Sequence, residues 1–282
     1  AAQGIGFAVA QALVRIGSEV ALVDIDAGEL DIAVGKLRSE GANVTGVLGS
    51  VAESKEARAI VGKVLNDHGR VDVLINNAGI TRDAQLVDMS DDDFDSAIAV
   101  NLRGAFLMTR CVLPSMMKNE YGRIINITST AGLIGSPGRA NYAAAKMGVV
   151  GLGQSLALEL AGQSITVNAV APFAWTKLTE SWPGLQRLEP STVELMKGLK
   201  PEYVAAVIAY LATPAAGSIN GQVFSVRGKE IMIFSQPRPV WSIDHRGKWE
   251  VGDLASVIPS RFARFMTPLE SSASYFSYDP LV

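Results

Sequence analysis

Short, continuously apolar runs alternate with longer amphipathic stretches through the first 228 residues. The runs at 20–24, 43–48, 71–76, 122–128, 165–171 and 222–226 lack the in-and-out alternation of a half-exposed sheet, and so predict strands of a parallel sheet buried on both faces. Between them, apolar residues at helical spacing predict helices over 4–15, 27–40, 53–68, 91–119, 141–161 and 201–212. In the first of these, Ile5, Val9, Leu13 and Ile16 form one stripe. Regular alternation of the two patterns predicts the α/β class: a doubly wound (Rossmann-type) parallel sheet with helices on both faces.

From residue 229 the texture changes to proline- and aromatic-rich sequence without alternation. The chain therefore divides into a domain over 1–228 and a C-terminal extension over 229–282. The extension carries Phe234, Trp241, Trp249, Phe262, Phe265, Tyr275, Phe276 and Tyr278, and a disordered tail is poor in such residues, so it is expected to be ordered. Asp253 is expected to cap a short helix with an apolar stripe of Leu254, Val257 and Ile258, ended or bent near Pro259. An arm of this length packs on its own subunit or wraps a neighbour and borders that subunit's cleft.

Composition narrows the chemistry. Hydrophobic residues make up 48% of the 282 positions and charged residues 19%, enough apolar mass for a large core. A net charge of −3 offers no basic footprint for nucleic acid or an anionic membrane. Cys111 alone excludes an internal disulfide framework, and His68 and His245 are too few for a conventional zinc site, so no metal is expected. No uninterrupted apolar run approaches the ~18 residues of a membrane span, and the first residues do not read as a signal peptide. A cytoplasmic setting is the default expectation.

The opening "AAQGIGFAVAQAL" reads as the second half of a phosphate-binding glycine loop running into a helix, with Gln3, Gly4, Ile5 and Gly6 where backbone approaches a pyrophosphate. A strand normally comes before such a loop. The expectation is that the natural protein has about 10–15 further N-terminal residues holding that strand and another loop glycine, long enough to cross a sheet at ~3.3 Å per residue. Asp24 closes "VALVD" about 20 residues past the glycines, where a carboxylate bonds adenosine ribose hydroxyls and repels the extra phosphate of NADP. Nothing basic stands at Gln3 or Ile25, so NAD is the expected cofactor, and Asp26 reads as a solvated turn residue.

In "YAAAK", Tyr142 and Lys146 stand one helical turn apart, which puts an ammonium near a phenol. That charge is expected to lower the tyrosine from its ordinary ~10. "INITSTAG" leaves Ser129 just past a buried strand, at the sheet edge where doubly wound folds hold ligands. "INNAG" closes another strand with Asn77, Ala78 and Gly79, small and polar residues suited to backbone contact with a cofactor. Asn101, in "AVNLRGAF", by itself reads as part of a solvated helix face.

Taken in order, Gly4-Ile5-Gly6, Asn76-Asn77-Ala78-Gly79, Asn101, Ser129 and Tyr142 with Lys146 resemble the short-chain dehydrogenase/reductase family over about residues 1–228. The resemblance implies that Tyr142 is the general acid/base and that Ser129 holds the substrate oxygen. It implies that Lys146 binds the nicotinamide ribose and lowers the tyrosine pKa, and that Asn101 positions a water in a proton relay. It also implies hydride transfer at a carbinol carbon and a homotetramer.

Three departures stand out. The first loop glycine and its strand are absent; Ser50 and Val51 in "GSVAES" replace an aspartate that meets adenine; and Pro172 is followed by Phe173 in place of glycine, whose positive φ phenylalanine adopts only at a cost. Thr176 and Thr179 compete for the cofactor-facing threonine role. Segment 173–200 lies where the family keeps its substrate flap, and Trp175, Leu178, Trp182 and Leu185 either face a bulky or acyl substrate or pack as core. The run "GQVFSVRGKEIMIFSQPRP" is similar to the end of the dehydrogenase domain in multifunctional (3R)-hydroxyacyl-CoA dehydrogenases, their bacterial relatives and steroid-pathway dehydrogenases.

The expected function is NAD-dependent oxidation of a secondary alcohol, a 3-hydroxyacyl-CoA or an alicyclic or steroid-like alcohol, or the reverse ketone reduction. An NADPH-dependent 3-oxoacyl reductase is the rival, and Asp24 argues against it. A catalytically silent dinucleotide-binding regulator would have lost one of Asn101, Ser129, Tyr142 or Lys146, and all four are present. A hydrolase is disfavoured because Ser129 has no G-x-S-x-G elbow.

Overall fold

Every residue of "GRIINI" is buried, as a strand covered on both faces must be. The computed structural model describes the whole chain except Ser181, Pro183, Gly184 and Arg187. In order come α1 (Gly4–Arg15), β1 (Val20–Asp24), α2 (Ala27–Ser39), β2 (Val44–Leu48), α3 (Ser54–His68), β3 (Val73–Asn76), α4 (Asp91–Ile98), a π-helical turn at Ala99–Arg103 and α5 (Gly104–Lys118). They are followed by β4 (Gly122–Ile127), α6 (Thr130–Leu133), α7 (Ala140–Glu159), β5 (Ile165–Phe173), α8 (Lys177–Glu180), α9 (Pro190–Lys197) and α10 (Pro201–Leu211). β6 (Val223–Arg227), β7 (Glu230–Ile233), α11 (Val251–Phe262) and α12 (Ser272–Tyr275) complete the order.

The period-two geometry of a strand splits β4 between two cores. Ile125 and Ile127 pack with Val9 and Leu13 of α1, Leu30 of α2 and Ile208 of α10, whereas Ile124 packs with Ile60 of α3 and Leu107 and Val112 of α5. The expected doubly wound arrangement follows, with β3, β4, β5 and β6 in parallel register. β7 was not predicted. It is an antiparallel edge strand of four residues with half its side chains exposed, too short to show a period.

β1 and β2 pair in parallel but form a ladder of their own, because no ladder joins β1 to β3. Between those two strands lies a cavity of about 610 Å³, bordered by Leu22 and Leu74 and by Leu13 and Val112 from the helices on either side.

The stretch expected as one helix over 91–119 is three pieces, because the chain widens into a π turn around Asn101. Such single turns inside helices often serve sites. Asp91–Lys118 is also the one helical stretch among the described residues long and apolar enough to cross a membrane, yet Leu107, Met108, Val112 and Met116 are buried within the protein.

In the C-terminal region the cap of α11 is Glu250, not Asp253, which instead sits at the third helical position and accepts from the Glu250 N–H at 3.3 Å in a capping box. The helix also runs through Pro259 to Phe262. Between Phe234 and Ser271 no residue is buried, and Trp241 stacks on Phe265 at 5.1 Å beside Arg264. The last residues return to the domain: Ser272 donates from its backbone to the Gly135 carbonyl, and Lys229 donates to that of Leu281.

Candidate active site

The carboxyl ends of β1, β3, β4 and β5 bring Asp24, Asn77, Ser129 and Pro172 to one edge of the sheet, the edge at which parallel strands hold ligands. Ser129 follows β4 as the N-cap of α6, accepting from the Ala131 N–H at 3.2 Å. Tyr142 and Lys146 share a face of α7, with the ammonium 5.6 Å from the phenol ring centre. The start of α7 is held by Asn141, fully buried, whose amide donates to the Arg82 and Asp93 carbonyls at 2.9 Å each and whose oxygen accepts from the Tyr142 N–H.

Lys146 is 2% exposed and donates to the Ile127 carbonyl at 2.8 Å, while its own carbonyl accepts from Thr128 Oγ1 at 2.7 Å. Burial brings its pKa down to about 8. Tyr142 departs from expectation: burial holds its pKa above the ordinary value, and the groups opposing that are a hydrogen bond with Ser129 and the charge of Arg139, not Lys146. Arg139 lies 5.9 Å from the Tyr142 ring centre and is paired with Asp83 at 2.7 Å, whose charge pushes the phenol up. Arg139 is thus a cation acting on the phenol that helical spacing did not indicate. A lone arginine three positions before the tyrosine gave no motif by which to find it.

Asn101 is not on a solvated face. The π turn directs it inward, 2% exposed, with Nδ2 donating to the Ile80 and Ala97 carbonyls at 2.9 Å and Oδ1 buried without a partner. A side chain on Gly79 would stand 2.7 Å from that oxygen and 3.4 Å from Lys146 Nζ, so glycine leaves both groups open to one small space. A buried acceptor without a donor is costly, and a bound hydroxyl or water satisfies it.

Gly132 is a second residue the motifs did not single out. A methyl there would meet the Met147 nitrogen and the Ala143 oxygen of α7 at 2.9 and 3.1 Å, so its absence sets the spacing between the Ser129 and Tyr142 elements. Gly132→Ala is expected to destabilise the protein by about 1–3 kcal/mol through overpacking and to lower turnover. Thermal unfolding and steady-state rates on one preparation check both.

The residues expected at a dinucleotide fit a cradle. Gln3 caps α1, Gly4 has φ +57°, and Gly6 approaches Ala1 and the Asn77 amide so closely that a methyl would lie 2.8 Å from each. Ala78 and Gly79 are exposed toward the same edge. The unpartnered Asn101 oxygen and a lysine ammonium with donors to spare match the hydroxyl-rich end of such a ligand.

Asp24 accepts from the Ala2 N–H at 2.9 Å on one oxygen, and from the Asp26 N–H on the other. These backbone donors lower its pKa against the upward push of burial. Asp26 caps α2 through the Glu29 N–H. Ile25 is 74% exposed beside it. The Ile5 side chain belongs to the core, leaving only its backbone to the loop. Ser50 donates its N–H to Glu56 and accepts from Ala52, while Val51 packs against Gly104.

At the other end, Pro172 and Phe173 finish β5 in extended backbone, so the missing glycine costs no positive φ. The Thr176 methyl faces Gly4, 3.3 Å from where a side chain would begin, whereas Thr179 Oγ1 donates to the Ala174 carbonyl, which separates the two threonines. Trp175 donates to Glu180 at 2.7 Å, and the Arg139 guanidinium lies 5.6 Å from the Trp182 ring centre. Leu178 is exposed and Leu185 half-buried, so neither is core.

Residues 1–183 match the short chain dehydrogenase family. The chain is 42% identical over 230 residues to the 3-oxoacyl-(acyl-carrier-protein) reductase FabG of Thermotoga maritima, covering 81% of this chain and 94% of that protein. It is 34% identical over 278 residues to the hydroxyacyl-CoA dehydrogenase ChsB1 of Mycobacterium tuberculosis, covering 93% of this chain and 86% of that protein. The crystal structure of a short chain dehydrogenase from Mycobacterium avium superposes with a TM-score of 0.85 at 30% identity, covering 96% of this chain and 94% of that one.

Proposed function

The chain belongs to the short-chain dehydrogenase family, and from that premise we propose that it is an NAD-dependent dehydrogenase oxidising the secondary hydroxyl of a 3-hydroxyacyl-CoA or a similarly bulky alcohol. The observation that carries the reading is the convergence of Tyr142, whose phenolate the Ser129 hydroxyl favours, with the open donors of Lys146 and the unpartnered Asn101 oxygen at the ligand edge of the sheet. The substrate oxygen would take the place between the two hydroxyls. Ser129 donates to it, and Tyr142 removes its proton as general base, or returns one in reduction. Gln3, Gly4, Ile5, Gly6, Asn77, Ala78, Gly79, Pro172 and Thr176 would hold a nicotinamide dinucleotide along this edge, which would supply the hydride acceptor or donor.

Lys146 would fix the ribose end of that ligand, and a water accepted at Asn101 Oδ1 would carry the tyrosine proton onward. Arg139 favours the phenolate that oxidation needs, against the burial that disfavours it. The hydroxyacyl-CoA substrate class is supported by the ChsB1 alignment, which extends over 93% of the chain, whereas the FabG alignment covers 81%.

NAD is supported by the carboxylate of Asp24, which meets no neighbouring basic side chain at Gln3 or Ile25 to receive a further phosphate. Asp24→Ala is expected to weaken NAD and narrow its advantage over NADP by about tenfold, the worth of one lost hydrogen bond to a charged group. Initial rates with both cofactors check this. The likeness to 3-oxoacyl reductases favours a second reading, ketone reduction with NADPH, and a wild type that already prefers NADPH selects it.

A further inference from the structure

Arg227 ends β6 with 5% of its surface exposed. A guanidinium is costly to bury unless its donors are met. Its Nη2 donates to the carbonyls of Phe276, at 3.1 Å, and of Tyr278, and its plane lies 4.4 Å from the Tyr278 ring centre and 5.8 Å from that of Phe173. Nη1 has no hydrogen-bond partner, and the nearest carboxylate, Glu230, stands 3.6 Å away. The acceptors that allow this arginine its burial thus come from backbone some 50 residues further along the chain.

The segment it holds reaches the site from two sides. Phe276, 7% exposed, meets Phe173 edge-on with ring centres 4.9 Å apart, next to Pro172 at the end of β5. Ser272 Oγ donates to Thr130 Oγ1 at 2.7 Å, one residue beyond Ser129, and the Ser272 N–H donates to Gly135 just past α6. Residues 272–282 therefore span from the serine-bearing element to the strand end at which the nicotinamide is proposed to lie.

Resting on the reading above, we propose that Arg227 is a positioning residue: it pins residues 272–282 as a wall of the substrate cleft beside Ser129, and that wall limits the size of alcohol the enzyme accepts. Arg227 touches neither substrate nor cofactor. It acts through Phe276 and the tail backbone.

The test uses the full chain and three variants, Arg227→Met, Arg227→Lys and Phe276→Ala, with two readouts. The first is limited chymotrypsin digestion with mass analysis of cuts after Tyr275, Phe276 and Tyr278. The second is the ratio of kcat/KM for a bulky over a small secondary alcohol. Arg227→Met is expected to speed tail cleavage and to move the ratio toward the bulky alcohol by about tenfold, the discrimination a few apolar contacts supply. Arg227→Lys is expected to restore part of both effects, and NADH affinity stays unchanged in all three.

Phe276→Ala shifts the ratio the same way with the arginine in place, and so carries the test if Arg227→Met does not fold. Unchanged cleavage in folded Arg227→Met overturns the anchor. A lower melting temperature with an unchanged ratio in both Arg227→Met and Phe276→Ala overturns the wall. A wild type that turns over no alcohol contradicts the functional reading instead, while the digestion still decides the anchor.

Discussion

Replacing Tyr142 with phenylalanine is expected to lower kcat by about 10²–10⁴-fold, the usual worth of a positioned proton-transfer group, with NADH affinity nearly unchanged. The phenol hydroxyl is the group that faces Ser129, and removing it deletes the proton acceptor while keeping the ring that packs near Lys146 and Arg139. Because burial holds the phenol above its ordinary pKa, oxidation by the wild type is expected to accelerate as pH rises above neutrality, while reduction slows only once pH approaches that raised pKa. The variant loses both limbs. Rates in both directions across pH check the assignment, and a pH profile that survives the substitution contradicts it.

Lys146→Met is expected to abolish most activity, by about 10²-fold or more as an electrostatic group is lost, without destabilising the fold at pH 7. The wild type there keeps a charged lysine almost wholly out of water, which lowers its pKa to about 8. Against an ordinary value near ~10.4, that is a folding cost of roughly 3 kcal/mol. Leaving the Ile127 carbonyl without its donor offsets about 1–3 kcal/mol of the relief.

The direction with pH follows from the sign of the shift. Below pH 8 the wild type bears the whole penalty; between pH 8 and about 10.4 its folded lysine sheds the proton before the unfolded one does, and the penalty fades. The variant's relative stability should therefore fall between pH 7 and pH 10. Denaturant unfolding at both values measures it, and an advantage that grows with pH would contradict a buried ammonium.

The residues legible in the sequence are those whose roles follow from local spacing. Tyr142 and Lys146 share a face because four residues make about one helical turn, and Ser129 reaches the ligand edge because β4 ends just before it. Strands buried on both faces announced the sheet in the same way. What escaped notice depends on contacts far apart in the chain. Arg139 tunes the phenol only because Asp83 and α7 fold together, Gly132 matters only because α6 and α7 touch, and Arg227 is buried only because the tail returns. Asn101 was marked only through the family resemblance, because a π turn rotates it inward whereas helical periodicity alone places it outside. The phenol lies above its ordinary pKa where helical spacing predicts it below, because proximity along a helix says nothing of burial, which dominates both groups.

The most direct test of the central claim is the rate of NAD and NADP reduction by wild type and Tyr142→Phe over 3-hydroxyacyl-CoA thioesters, alicyclic alcohols and hydroxysteroids. The account predicts NADH formation by the wild type on a hydroxyacyl-CoA, slower use of NADP, and near loss of both in the variant. Turnover by Tyr142→Phe at the wild-type rate, or a wild type inert toward every alcohol with either cofactor, would contradict it.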